Sequence, residues 1–494
     1  MELLLILVTA LLFTAPIYIP QLFFLSYLAF IPLIYLTREK DYRHSFVIAW
    51  LIAIISSFLS FFWLYYPLSE LLEMPFVFIF LILFLYILIS SLGLAIWVIL
   101  NKFLQPKNSF SPFIAAFTWA SLEYLRFSYL NINPFNYLAY SQTSFSTLIN
   151  YASLGGIFLI SFLTVLIAGY LVKIYYKPSI KRTVPLVVIL VLIFFILPFR
   201  LNSTENSTTE KIDIINLSQI SNDIIFEEVE ENTALLAEMI AESNNQYLFT
   251  PQNGLSFDLL RNNYYREKFF SQIESELESK FLQLGSKAAT RSNIDSELKD
   301  SLFLLDDNLE IINRYDKISN SLFLTNFFLR EEITSILNNF LNIDTTEVFR
   351  VKDNEIIELN NLKYLNLISN EIYNPLNFNG QNLDLNLIVH SSDERNIDFK
   401  VFKNYSWGAA VLRAAENRVS VLKTSREGYN GYITPDAKSK IKTISDKGVI
   451  ELEVLLQSSS SYYQSNPERI AEIFLIITAF IFIIKSIMAI KDKH

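Results

Sequence analysis

NYASLGGIFLISFLTVLIAGYLV, residues 150–172, carries no Asp, Glu, Lys or Arg, and is followed by Lys173, Lys177, Lys181 and Arg182. As a helix rising 1.5 Å per residue it reaches about 34 Å, enough for a hydrocarbon layer of about 30 Å. Seven more apolar stretches lie near residues 1–17, 21–37, 45–66, 75–100, 110–126, 184–199 and 468–488. The first two are interrupted by Pro16, Pro20 and Pro32 and read as a tight hairpin. Residues 1–17 lack a basic leader and a small-x-small cleavage site, so they read as a retained span.

The basic loops orient these spans. Arg38, Lys40 and Arg43, then Lys102 and Lys107, then the four cations after residue 172, then Lys485, Lys491 and Lys493 all fall on one side. The alternate short loops, near 18–20, 67–74 and 127–149, carry no Lys or Arg. The excess of Lys and Arg on one side predicts both termini in the cytoplasm. The chain then divides into a seven-span membrane domain (1–199), an outer domain (200–466) and a last span with its tail (467–494). The outer block holds 26 basic and 40 acidic residues, which argues against nucleic acid as a partner. The chain has no Cys and three His, so Cys-ligated zinc, disulfides and a thiol nucleophile are excluded.

Within the outer block, β-type runs are read at 211–217, 246–250, 301–305, 310–315, 364–369, 383–390, 419–424, 431–434 and 449–456. Helical periodicity is read at 227–243, 266–284, 330–339 and 400–417. Strands interleaved with helices predict a layered α/β domain. The Ser/Thr/Asn-rich segments 202–209 and 458–466 read as flexible joins.

Several local patterns carry more. In the membrane part, Trp119, Glu123 and Arg126 form W-x-x-x-E-x-x-R, followed by Asn133-Pro134-Phe135, Ala139-Tyr140-Ser141-Gln142 and Leu154-Gly155-Gly156. Glu123 and Arg126, three apart on one helical face, are spaced to pair. In the outer part stand Tyr315-Asp316-Lys317 and Arg413-Ala414-Ala415-Glu416-Asn417-Arg418. In this order and topology they resemble the apolipoprotein N-acyltransferase family, over nearly the whole chain. The resemblance implies an eight-span bacterial inner-membrane protein with a nitrilase-like α-β-β-α sandwich domain in the periplasm. The family moves an acyl chain from a phospholipid to the N-terminal amine of a lipoprotein. Phospholipid, and a lipoprotein N-terminus, are therefore the implied partners, and no cofactor is implied.

The family's catalytic set does not carry over intact. Its Glu base falls on Gln252 in Thr250-Pro251-Gln252, its Lys on Lys317, and its Cys nucleophile on Ser369 in Ile368-Ser369-Asn370-Glu371. A further family carboxylate falls on Thr325, and the N-D-x-W segment on Ser392-Asp393-Glu394-Arg395. An amide neither takes nor gives a proton near neutral pH, and a serine hydroxyl is a weak nucleophile until a base activates it. Two readings follow. The chain is a catalytically impaired relative that binds lipid or lipoprotein, or it is a divergent acyltransferase in which Lys317 activates Ser369. Glu371 and Glu416 read as supporting or ion-paired carboxylates. The apolar run 321–329 reads as a membrane-touching loop. A transporter is disfavoured by the few embedded charges and the lack of paired membrane repeats.

Overall fold

The computed structural model describes residues 1–72, 75–105, 110–130, 135–201, 207–217, 226–289, 298–318, 356–374, 384–395, 397–443, 448–458 and 461–491. Asn133 and Pro134, residues 202–206, Thr325, the run 321–329 and the helix expected over 330–339 lie outside them.

The first ten helices are α1 (Glu2–Tyr18), α2 (Leu25–Thr37), α3 (Tyr42–Phe61), α4 (Tyr65–Leu72), α5 (Phe76–Ser90), α6 (Leu92–Leu104), α7 (Pro112–Leu125), α8 (Ser146–Ile149), α9 (Ala152–Tyr176) and α10 (Ile180–Leu201). Four stretches among the described residues are long and apolar enough to cross a membrane: Tyr42–Ser69, Phe76–Leu104, Ala152–Tyr176 and Arg469–Lys491. The apolar helices α1 and α2 are shorter, with 17 and 13 residues. The helix α9 is the axis of the bundle and is buried along most of its length. It kinks at Gly155–Gly156, where Gly156 takes φ +61. A Cβ there would stand 2.3 Å from the Tyr463 ring, so glycine is required on both conformational and steric grounds.

The outer block forms two six-stranded sheets. One runs β12-β1-β2-β3-β4-β5 and the other β11-β10-β9-β8-β7-β6. The first contains β1 (Ser207–Ile215), β2 (Tyr247–Phe249), β3 (Phe281–Ala289), β4 (Leu298–Leu305), β5 (Ile311–Asp316) and β12 (Val449–Gln457). The second contains β6 (Ile357–Leu359), β7 (Leu362–Ile368), β8 (Leu387–Asp393), β9 (Ser420–Arg426), β10 (Asn430–Ile433) and β11 (Ser439–Thr443). Strand alternation sorts their side chains into layers. Ile212, Ile214, Phe249, Tyr364, Val389 and Leu422 meet between the sheets. On the far face of the first sheet, Ile215, Leu248, Leu282 and Leu284 pack under α11 (Phe226–Glu242) and α12 (Asn263–Ile273). On the far face of the second, Leu365, Leu367, Ile388 and Val421 pack under α13 (Lys400–Asn417). The layering is α-β-β-α.

The inner helix α13 is buried from Val401 to Asn417 although its sequence is not apolar throughout. One side faces the sheet and the other faces the bundle. Tyr405 stacks on Phe61 at 5.9 Å, Phe402 meets Trp63 at 4.7 Å, and Asn404 donates to the Ile17 and Tyr18 carbonyls at the end of α1. Sheet domain and bundle thus share one continuous core.

All nine expected strands are present, with ends shifted by a few residues. The helix expected over 266–284 is corrected. It ends at Ile273, Ser279 turns the chain with φ +59, and Phe281–Ala289 is a strand. The alternating Leu282 and Leu284, both fully buried, override the helical charge pattern before them. The join at 458–466 is corrected as well. Its residues Tyr462–Ser465 form a short helix, α14, capped by Ser461, with Ser461, Tyr463 and Gln464 buried. Ser461 Oγ donates to the Glu416 carbonyl, so polar composition here marks docking. The last helix, α15 (Arg469–Lys491), follows.

Candidate functional site

Ser369 stands where β7 ends, half-buried, with φ +53 in the left-handed region. A non-glycine residue there persists only when its surroundings hold it. Two bonds do so. The Ile368 N–H donates to Glu371 Oε2 at 2.7 Å, and His390 Nε2 lies 2.9 Å from the Ser369 carbonyl oxygen.

Glu371 does more than fix that turn. Its Oε1 accepts from the Ile318 N–H at 2.7 Å, and its Oε2 accepts from the Tyr315 hydroxyl at 2.9 Å. One buried carboxylate thereby clasps the exit of β5 to the exit of β7, with Lys317 and Ser369 on its two sides. Burial pushes the Glu371 carboxyl above the usual range, opposed by the two backbone N–H bonds and the Lys317 charge. Burial and Glu371 push the Tyr315 hydroxyl well up, so it stays a donor. Lys317 pairs with Asp300 at 3.5 Å, and its N–H donates to the Asp300 carbonyl.

Gln252 follows β2 in a loop pressed onto β3. A Cβ on Gly285 would stand 2.2 Å from the Pro251 carbonyl oxygen and 3.0 Å from the Gln252 Cα. The loop also reaches the second sheet. Ser391 Oγ donates to the Thr250 carbonyl at 3.4 Å, and Asn253 Nδ2 donates to Asp393 Oδ2 at 3.1 Å. Gln252 is buried, and its Oε1 has no partner among the described residues. The Gln252 loop and the Ser369 turn are therefore both anchored on the last residues of β8, and Glu371 ties Lys317's strand to the same turn.

Beneath that anchor lies a group in which Ser392 and Glu394 of the motif segment meet two residues that no motif indicated, His390 and Lys423. Lys423 Nζ sits 2.7 Å from Glu394 Oε1, 3.0 Å from Ser392 Oγ and 3.5 Å from His390 Nδ1. The ion pair is almost wholly excluded from solvent, with side chains 0% and 1% exposed. Ser406 of α13 donates to the same Glu394 oxygen at 2.6 Å. Burial, and secondarily the Lys423 charge, hold His390 well below the usual histidine value. Its partners assign the tautomer: Nδ1 faces the ammonium as acceptor, and Nε2–H donates to Ser369. The available sequence signal was a His and a Lys inside strands otherwise rich in Leu and Val. Their meeting depends on the β8–β9 register, which pairs His390 with Lys423.

In the bundle, Glu123 Oε1 accepts from Trp119 Nε1 and from the Leu138 N–H, each at 2.9 Å. Arg126 donates to the Asn136 carbonyl and lies 4.7 Å over the Tyr137 ring. Among the described residues no ion pair joins Glu123 to Arg126, contrary to the spacing argument. The helix stops at Leu125 and continues as a π turn, and the returning segment at 136–138 takes up both side chains. These three motif residues line a cavity of about 510 Å³ with Ser57, Ser60, Ser91 and Tyr405. Phe135, on its wall, meets Tyr373 edge-on at 4.5 Å, in the turn that begins at Ser369. Glu416 forms a buried pair with Arg413 at 2.9 Å, and burial raises its carboxyl to about 7.

Comparison with known proteins finds similarities over parts of this chain. Residues 9–170 match the apolipoprotein N-acyltransferase N-terminal domain. The chain is 26% identical over 437 residues to the apolipoprotein N-acyltransferase of Wigglesworthia glossinidia brevipalpis, covering 83% of each. Solved structures similar to it include a mutant of a nitrilase-superfamily amidase from Nesterenkonia AN1, at 10% identity and TM-score 0.37. That match covers 54% of this chain and 97% of the amidase. Another is a CN-hydrolase superfamily protein from Xanthomonas campestris, at 13% identity and TM-score 0.35, covering 54% and 97%. With its N-terminal part matched and a relative aligned over most of both chains, the chain is similar to the apolipoprotein N-acyltransferases.

Proposed function

We propose that this chain is an inner-membrane relative of the lipoprotein N-acyltransferases that binds phospholipid or a lipoprotein N-terminus without efficient acyl transfer. In this reading it has eight spans, cytoplasmic termini and residues 200–466 in the periplasm. One observation carries it: the supporting frame is present while the reactive groups are not. Glu371, Tyr315, Asp300 and Lys317 are bonded around the turn, yet the base position holds the amide Gln252 and the nucleophile position holds Ser369. The cavity bordered by Glu123 and Phe135 adjoins that turn and offers an apolar chain a place to lie.

A second reading is favoured by one feature, the positive φ of Ser369, which sets a hydroxyl on a strained turn as nucleophile elbows do. Ser369 Oγ would attack the phospholipid ester carbonyl while its proton passes to a neutral Lys317 amine. The ester bond would break, the departing lysophospholipid oxygen would take that proton, and an acyl ester would remain on Ser369. Against it, Lys317 Nζ is already engaged with Asp300 Oδ2 at 3.5 Å.

The test is incubation of the full-length chain with phospholipid, followed by intact-protein mass spectrometry. The expected result is unreacted lipid bound without covalent mass. An acyl adduct that disappears in Ser369→Ala would overturn the first reading and establish the second. For topology, the absence of native Cys makes Glu278→Cys a unique thiol, expected to be labelled only from the periplasmic side. Labelling from the cytoplasm refutes the arrangement.

A further inference from the structure

A second cavity, of about 950 Å³, opens at the end of the bundle remote from the sheets. It is built by the end of α2 and start of α3, the end of α6, the end of α9 and the start of α10. Those are the opposite ends from the ones that touch α13. Arg38, Lys40, Lys102, Lys173, Lys177 and Arg182 line it, against two carboxylates, Glu39 and Asp41.

The cations divide by task. Lys102 Nζ donates to the Thr37, Arg38 and Lys40 carbonyls and closes the end of α2. Arg182 donates to the Lys173 and Lys177 carbonyls. Lys40 faces Glu2 at 3.4 Å. Asp41 is engaged locally, capping α3 through the His44 N–H and ring. Arg38 lies over the Tyr176 ring at 4.8 Å. Among the described residues no carboxylate pairs with Arg38, Lys173 or Lys177. The charges that set membrane orientation need only lie in loops; they require no enclosed space. Here the space has a floor of Ile34, Trp97, Val98 and Val172, reaching the middle of the bundle. A polar shelf, Asn101 bonded to Gln105 at 2.7 Å, stands between that floor and the basic mouth.

A basic mouth over an apolar floor, between helices at the membrane surface, fits an anionic amphiphile. We propose that this cavity binds an anionic phospholipid, its phosphate at Arg38, Lys173 and Lys177 and part of an acyl chain along Trp97 and Val172. Of the residues lining it, only Trp97 also borders the cavity beside Ser369, and the site does not depend on any activity there.

The probe is dioleoyl phosphatidylglycerol against dioleoyl phosphatidylcholine, with the full-length chain in detergent, read by native mass spectrometry. Retention of the glycerol lipid is expected to exceed that of the choline lipid by about tenfold, and Lys173→Gln/Lys177→Gln is expected to erase most of that preference. Lys177→Gln alone, at an exposed side chain, is expected to reduce it about threefold without disturbing packing. Lys211→Gln, in an exposed pair on β1, serves as the control and should leave retention unchanged. Equal retention of the two lipids, or no effect of either Lys177 variant, overturns the proposal. Displacement of the lipid by an equal concentration of sn-glycerol 3-phosphate would overturn the lipid assignment in favour of a soluble phosphate ester.

Discussion

Replacing Lys423 with Met probes the buried network beneath Ser369. The Lys423 ammonium is one of three donors to Glu394 Oε1, alongside Ser406 and Ser392, and Glu394 Oε2 has no partner among the described residues. Removing the ammonium leaves a buried carboxylate facing two hydroxyls. Breaking one partner of such a pair costs about 3–5 kcal/mol, whereas replacing both by apolar groups is often near neutral. For a domain of this size each kcal/mol moves a melting midpoint by about 2–4 °C, so Lys423→Met should melt about 6–20 °C early. Lys423→Met/Glu394→Leu should recover most of that loss. The assay is tryptophan-fluorescence melting of the detergent-solubilised chain at a fixed scan rate. The same single variant should speed hydrogen exchange at Ser369 and Asn370, because His390 loses the partner that orients it. A single variant that melts within about 2 °C of the parent, or a double variant whose loss equals the sum of the singles, would refute the coupling.

Three further outcomes are expected. Gly156→Ala should lose at least about 2 kcal/mol, because its Cβ meets the Tyr463 ring at 2.3 Å on a left-handed backbone, and adding Tyr463→Leu should restore part of it in the same melting assay. Glu371→Gln replaces an acceptor of three hydrogen bonds with a group whose NH2 faces another donor, so it should cost about 2–4 kcal/mol and raise hydrogen exchange at Ile318 and Ile368 together; exchange rising at only one would refute the clasp. His390 is held neutral in the fold with its pKa depressed, so the unfolded chain binds the extra proton and stability falls as pH drops below about 6.5, by up to about 1.4 kcal/mol per unit. His390→Leu should have a shallower decline over that window, and parallel slopes would contradict it.

The strands were readable because each is short, apolar and bounded by turn residues, and because a buried two-sheet sandwich demands that pattern. The edge strands β6 and β11 were not read, β6 being only three residues long and β11 five residues with a single apolar one. The region after Ile273 was misread because Glu and Lys at helical spacing continue past the helix, while the decisive event is the single left-handed Ser279. The placing of Gln252, Lys317 and Ser369 just beyond strand ends was legible because each sits in a contiguous motif that follows an apolar run. The join at 458–466 failed for a different reason: polarity reports solvation only where nothing else supplies hydrogen bonds, and Glu416 and α13 supply them here.

The same distinction explains why His390 and Lys423 escaped the sequence, and why Glu394, named only within the segment Ser392–Arg395, gave no sign of its partner. Glu394 is near His390 in the chain, but Lys423 lies on another strand, and only the parallel register of β8 and β9 brings its ammonium under the imidazole. A lysine inside the run Val421-Leu422-Lys423 has no reason to be there until its partner is known, since an unpaired buried charge would unfold the sheet. The network also bears on the function proposed here. In that reading Gln252 and Ser369 stand at the positions of the reactive groups, whereas His390, Lys423 and Glu394 hold the backbone on which Ser369 stands. Frame and reagents are thus separable in this chain. In the function proposed here, Ser369 is held in a left-handed turn by a buried, oriented imidazole, and Gln252 supplies no group that could accept its proton. Restoring Cys at Ser369 alone would leave that proton without an acceptor, so both Ser369→Cys and Gln252→Glu are needed before the preserved frame has anything to act with.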